Sequence, residues 1–179
     1  MNILVVDIGG TNVKLWKTGE ADKEKIPSGK DLTPKMLIKE VRNLVGEWTF
    51  ERVSIGYPGD VRNGHPTAEP WNLGDGWVDF DYADAFSCPV RIMNDACMQA
   101  LGSYEGGRML YMGLGTSIGS TFITDGTIVP LAVGHLKLHN DKSFEECLNR
   151  AAFEEGGVER WQKRVTEAAD VLKNAYQAD

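Results

Sequence analysis

The sequence predicts an α/β protein, on three observations: two strand, glycine turn, strand units; one strand that runs straight into a capped helix; and further segments with apolar residues at helical spacing. At 179 residues with 42% hydrophobic content, the chain can form one large domain or two small ones around a real core.

The first strand is the β-favouring run Asn2 to Asp7, ended by Gly9-Gly10. Asn12 to Trp16 resumes with alternating Val13 and Leu15, which makes a hairpin with a glycine tip. A polar stretch from Lys17 to Asp31 leads to Thr33-Pro34, an N-cap followed by proline at the first helical position. Met36, Leu37, Val41, Leu44 and Val45 recur at helical spacing, so a helix is expected over 34–47. A strand over 52–56 ends in Tyr57-Pro58-Gly59-Asp60, and the thirty residues after it hold glycine, proline, aspartate and tryptophan with little periodicity. A long irregular segment of this kind usually has a function.

Residues 89–93 predict a short strand, after which Asp95 can cap a helix reaching about Tyr104 and stopped by Gly106-Gly107. Met109 to Met112 enters a second glycine turn, Gly113-Leu-Gly115-Thr116-Ser117-Ile118-Gly119, and Ser120 to Thr124 leaves it as a strand before the tight Asp125-Gly126 turn. Ser143-Phe-Glu-Glu146 is a capping-box pattern opening a helix that ends at Gly156-Gly157. In the next helix Val158, Trp161, Val165, Ala168, Leu172 and Ala175 form one apolar stripe, expected to lie on a sheet or another helix.

A formal charge of −7 argues against general affinity for nucleic acid or an anionic membrane, whose phosphates it would repel, and points to small-molecule chemistry. Cys88, Cys97 and Cys147 are widely spaced with no C-x-x-C pair, so they read as buried free thiols. The chain enters its first apolar strand without a basic leader and has no run of about 18 apolar residues, the pattern of a cytoplasmic protein. His135 and His139 are four apart but lack a cysteine or glutamate partner, which argues against zinc.

Phosphate groups need backbone N–H donors presented without intervening side chains, and glycine with a nearby hydroxyl provides them. Gly9, Gly10, Thr11 and Asn12 meet that need, with Asp7 placed to hold Mg²⁺ through water. A plain hairpin turn explains Gly-Gly equally well, but Gly113, Gly115, Thr116 and Gly119 offer a second cradle of the same design. No G-x-x-x-x-G-K-[ST] stretch is present, and the second glycine loop leads into a strand, so neither a Walker-type nor a Rossmann reading fits.

The segments DIGGTNVKLW, IGYPGDV, NDACMQALGSYEGG, MGLGTSIGSTFITDGTIVP and GHLKL occur in the order found in ROK (repressor, open reading frame, kinase) sugar kinases, and the chain most resembles the polyphosphate glucokinase branch. The resemblance runs from Asn2 to the final helix. It implies an RNase-H-like two-lobed fold of the actin and hexokinase type, with lobes over residues 1–98 and 99–179 closing on a sugar, and a second lobe that is incomplete. It implies phosphoryl transfer from ATP or polyphosphate to a hexose hydroxyl with Mg²⁺, with Asp95 as the base and Asn72, Asn94, Gly134 and His135 facing the sugar. A carboxylate within hydrogen-bond reach orients a poor alcohol nucleophile and takes its proton; by residue type alone, Asp95 serves equally as a helix cap. Trp71 and Trp77 are candidates either to stack on a sugar ring or to anchor the irregular loop. Homodimers are usual in the family, although no residue here argues an interface independently.

The chain departs from the family pattern at three places. Leu131-Ala132-Val133 stands where a sugar-binding glutamate usually precedes Gly-His, and losing such a charge-assisted hydrogen bond costs about 1.5–3 kcal/mol. Ser117 stands where a glycine is common, narrowing the phosphate approach. The strand, glycine loop and closing helices that follow the long helix in the family have no counterpart, which predicts a fragment or truncated product. The rival expectation is a non-catalytic sugar sensor of the same fold; a repressor would need a helix-turn-helix ahead of the first strand.

Overall fold

The computed structural model describes residues 1–179, which divide into two compact units, Met1–Met98 and Gln99–Asp179. In the first, β1 (Ile3–Ile8) and β2 (Asn12–Lys17) form the expected hairpin, and β3 (Glu24–Pro27) follows. Helix α1 spans Pro34–Val45, started by the Thr33 hydroxyl accepting from Met36 N–H and ended at Gly46 (φ 53°). Next come β4 (Arg52–Tyr57), a small ladder of β5 (Val61–Arg62) with β6 (His65–Pro66), α2 (Tyr82–Phe86), β7 (Val90–Asn94) and α3 (Asp95–Gly102), within which the unit boundary falls.

The sheet order is β3-β2-β1-β4-β7, with β1, β4 and β7 parallel and the β1-β2-β3 meander antiparallel. Alternation sets the buried face: Leu4, Val6, Ile8, Val13 and Leu15 point inward, where Leu37, Ile38, Val41 and Val45 of α1 join the same core. Each such side chain contributes about 1.5–3 kcal/mol by leaving water. Two elements lie in stretches the sequence reads as irregular. β3 buries only Ile26 and is otherwise exposed, so its pairing with β2 is a tertiary event. α2 is one turn, held by the Asp81 side chain at its start and a left-handed Ser87 (φ 54°) at its end.

In the second unit β8 (Arg108–Leu114), β9 (Ile118–Thr124) and β10 (Thr127–Leu131) form an antiparallel meander, turning between β9 and β10 at left-handed Asp125 and Gly126. A 3₁₀ turn, Val133–His135, precedes β11 (Lys137–His139) and β12 (Lys142–Ser143). Helix α4 (Phe144–Leu148) carries the complete capping box: Ser143 Oγ accepts from Glu146 N–H, and the Glu146 carboxylate accepts from Ser143 N–H. The helix expected to run to Gly156 breaks earlier, because Asn149 caps a new helix, α5 (Arg150–Tyr176), through Ala152 N–H. Gly157 does interrupt the helix, at φ 72° and ψ 169°.

The second core joins Val133, Phe144, Cys147, Leu148, Ala168 and Leu172, with Val165 and Tyr176 partly buried against it. The apolar stripe is therefore covered at Ala168 and Leu172, partly at Trp161 and Val165, and not at its two ends. Val158 is 53% exposed and Ala175 is exposed, because α4 and the three-stranded sheet do not reach them. His135 and His139 lie on a 3₁₀ turn and a strand, so their four-residue spacing is not that of one helix face. Cys97 and Cys147 are buried, Cys88 is half-buried, and none of the three forms a disulfide. No helix is long and apolar enough to cross a membrane.

Candidate active site

In the first unit the candidate residues gather at the carboxyl ends of the parallel strands, the end of an open α/β sheet where ligands bind. Asp7 stands near the end of β1 beside Gly56 of β4, and Tyr57 of β4 is opposite Asn94 of β7. Gly56 sets how closely α3 approaches: a Cβ there would come 3.3 Å from Asp95 Cα and would collide with the Met98 methyl. Asn94 fixes the start of α3. Its Oδ1 accepts from Ala96 N–H (3.0 Å) and Cys97 N–H (3.3 Å), while its Nδ2 donates to Gly59 O (3.1 Å). The cap that residue type assigned equally to Asp95 thus comes mainly from Asn94, with Asp95 Oδ1 accepting from the adjacent Ala96 N–H at 2.8 Å.

Burial pushes the Asp95 carboxyl up to about 6, and the negative charge of Asp7 adds to the effect. Two carboxylates therefore share one electrostatic neighbourhood, with the Lys14 ammonium 3.4 Å from Asp7 Oδ2. Hard oxygen donors in this number suit Mg²⁺, which is typically held by one or two carboxylates together with water and the phosphates of a substrate. Asp7 fits that demand.

The glycine turn lies between β1 and β2, where Gly9 N–H donates to Asn12 O (3.2 Å). Ser28 fastens it from the β3 side, its Oγ donating to Gly9 O (2.6 Å) and its N–H to Thr11 O (3.1 Å). Thr11 and Asn12 are exposed. Gly10 has no room for a side chain, because a Cβ would overlap the amide nitrogen of Asn72. Asn72 Oδ1 is buried without a hydrogen-bond partner, an unusual state for a side-chain acceptor. The irregular segment thus delivers Asn72 to the glycine turn.

The two tryptophans of that segment separate in role. Trp77 is fully buried: its indole N–H donates to Gly74 O (2.6 Å), its main-chain N–H donates to the Glu69 carboxylate, and its ring packs 6.2 Å from Tyr57. It anchors the loop. Trp71 is 76% exposed and remains available for stacking.

In the second unit the other glycine hairpin is tighter than the sequence suggested. Gly113 stands opposite Gly119, and Leu114 opposite Ile118, so these residues belong to the ladder and only Gly115, Thr116 and Ser117 form the tip. Gly115 is not at positive φ, and a Cβ on it would find its nearest neighbour at 3.8 Å, so neither the backbone nor the packing within the unit requires glycine there. Arg150 N–H, at the start of α5, donates to Gly115 O (3.0 Å). Gly134 and the exposed His135 lie on the 3₁₀ turn.

Sequence reasoning missed one connection, Glu145. Its carboxylate accepts from Ile118 N–H (2.9 Å) and lies beside Gly134, so it ties the glycine hairpin to the Gly134-His135 turn and places an acid near the motif where Ala132 supplies none. The capping box drew attention to Glu146 next door, and nothing local distinguishes a capping glutamate from a bridging one.

Comparison with known proteins fits this arrangement. The polyphosphate glucokinase of Mycobacterium tuberculosis is 25% identical over 195 residues, covering 97% of this chain and 73% of its own length. That of Mycobacterium leprae is 26% identical over 196 residues, and there the chain spans 60% of the relative's length. Among solved structures, the inorganic polyphosphate/ATP-glucomannokinase of Arthrobacter sp. strain KM superposes with a TM-score of 0.79 at 23% identity, covering 99% of this chain and 80% of that one, so the fold is that of these sugar kinases. Residues 3–176 match the ROK family, and the chain belongs to it.

Proposed function

We propose that the chain acts in phosphoryl transfer from ATP or polyphosphate to the 6-hydroxyl of a glucose-like hexose. The observation that carries this reading is the Asp95 carboxyl, buried, raised to about 6 and within electrostatic reach of Asp7, at the strand ends that also hold the Gly9–Thr11 turn. A group with that proton affinity is mostly ionised near pH 7 yet basic enough to accept a proton, which suits a general base. The family membership and the polyphosphate glucokinase relatives support it.

In this reading Asp95 accepts a hydrogen bond from the sugar hydroxyl and takes its proton as the oxygen bonds to the terminal phosphorus. The bond from that phosphorus to the bridging oxygen breaks, releasing ADP or a shortened polyphosphate. Gly9, Gly10, Thr11 and Asn12 form the first phosphate cradle, in which Gly9 N–H closes the turn on Asn12 O and the Gly10 and Thr11 N–H groups serve the phosphates, and Gly115 and Thr116, flanked by the ladder glycines Gly113 and Gly119, form the second. A glycine at 115 that the fold does not require is what close phosphate approach would retain. Mg²⁺, when bound, offsets the negative charge of the donor, with Asp7 holding it through water. Asn72, Asn94, Gly134 and His135 orient the sugar, and Trp71 offers its ring face.

The test is Mg²⁺-dependent hexose 6-phosphate formation from glucose and mannose, with ATP and polyphosphate as parallel donors and Asp95→Asn as control. Turnover lost in the variant is the expected result. Sugar binding without turnover from either donor would replace the kinase reading with a non-catalytic sensor.

A further inference from the structure

Beyond the glycine turn, the ladder of the first unit places charge in a row. Asp7 of β1 is directly opposite Lys14 of β2, and Lys14 is directly opposite Lys25 of β3. Residues opposite each other in antiparallel strands share one face, so a carboxylate and two ammonium groups stand side by side across the three strands, spanning two strand spacings or about 10 Å. This is the face away from Val13, Leu15 and Ile26, and Lys14 and Lys25 are both exposed on it. Asp7 answers the charge of Lys14 at 3.4 Å, whereas Lys25 takes part in no ion pair. Glu24, the acid nearest in sequence, is opposite Leu15 in the neighbouring register row, and alternation turns it to the other face. Like charges directly opposite one another destabilise a sheet, and a bound anion reverses that sign. Lys30 is exposed on the loop that Ser28 fastens to the glycine turn, so it extends the basic character alongside the turn, with exposed Asp31 next to it.

We infer that Lys14 and Lys25 form a track for the phosphates of a polyphosphate chain that lie beyond the one transferred. The inference rests on the proposed phosphoryl-transfer reading and deepens it by naming the donor class the track serves. A nucleoside triphosphate runs out of charge after three phosphates, whereas inorganic polyphosphate continues to present anionic oxygens. The chain as a whole is acidic, so a local basic row is what lets a polyanion approach here.

The experiment compares Lys25→Ala and Lys14→Ala/Lys25→Ala with Lys35→Ala/Lys39→Ala, a control that removes two exposed lysines of α1. Lys25→Ala is the informative single change, because Lys25 makes no contact with Asp7 or the glycine turn. KM for long-chain polyphosphate is expected to rise about fivefold per lysine at low salt, with a flatter dependence on salt concentration, while in Lys25→Ala KM for ATP and for glucose stays within about twofold. An unchanged polyphosphate KM, an equal rise in the α1 control, or an equal rise for ATP overturns the track. Direct titration of each protein with long-chain polyphosphate separates this inference from the reading beneath it. Binding lost in Lys25→Ala from a protein that turns over neither donor leaves the track standing and removes the kinase. Turnover of ATP with no Lys25-dependent polyphosphate binding does the reverse.

Discussion

Replacing Asp95 by asparagine should stabilise the first unit while removing turnover, and the size of the gain follows from its surroundings. The carboxyl is raised from 3.8 to about 6, chiefly by burial. Because the folded-state value lies above the unfolded one, the native state holds more protons than the unfolded chain between about pH 4 and 6, and stability falls as pH rises through that window. Above it the native state bears the full cost of the buried charge, at most about 3 kcal/mol. Asparagine keeps an oxygen for the Ala96 N–H and carries no charge, so the variant should exceed the parent by up to that amount at pH 7.5 and converge with it toward pH 3.5. Urea denaturation at the two pH values, without Mg²⁺ or donor, reads the difference from the transition midpoints. Hexose phosphorylation on the same samples should fall by about 10²–10⁴-fold. If asparagine were equal to or less stable than aspartate at pH 7.5, or if the gap persisted at pH 3.5, the burial argument would be wrong and Asp95 would be serving its helix.

Gly115→Ala should leave stability within about 0.5 kcal/mol, since no atom crowds the site and φ is ordinary, yet raise the donor KM; thermal melts and steady-state kinetics check both halves. Gly10→Ala must push against Asn72, so it should alter sugar affinity and lower the melting temperature together, and a variant indistinguishable from the parent would contradict the close approach. Trp77→Ala should cost about 3–5 kcal/mol in denaturant unfolding, whereas Trp71→Ala should cost nearly nothing and weaken sugar binding in a fluorescence titration.

Local chemistry set much of the fold. Thr33-Pro34 and Gly46 bracket α1, the Ser143/Glu146 box opens α4, and both glycine hairpins fall where strand-forming runs meet glycine. The elements that escaped have weak local signals. β3 offers one buried isoleucine among charges, α2 is a single capped turn, and the break at Asn149 looks no different from any asparagine inside an amphipathic run. Alternation and caps act over a few residues, and these elements depend on partners many positions away.

For the site, residue type and spacing nominated Asp7, the two glycine turns and Asn94-Asp95, and the ordered motifs pointed to the ROK family, to which the chain belongs. Tertiary structure alone decided which nominees influence one another. Parallel pairing of β1, β4 and β7 carries Asp7 to the neighbourhood of Asp95, the irregular segment lays Asn72 on Gly10, and packing buries Trp77 while leaving Trp71 in water. Burial and charge proximity are properties of folded distance, and a raised carboxyl, a bridging Glu145 and a lysine pair across β2 and β3 exist only once residues far apart in the chain are brought side by side.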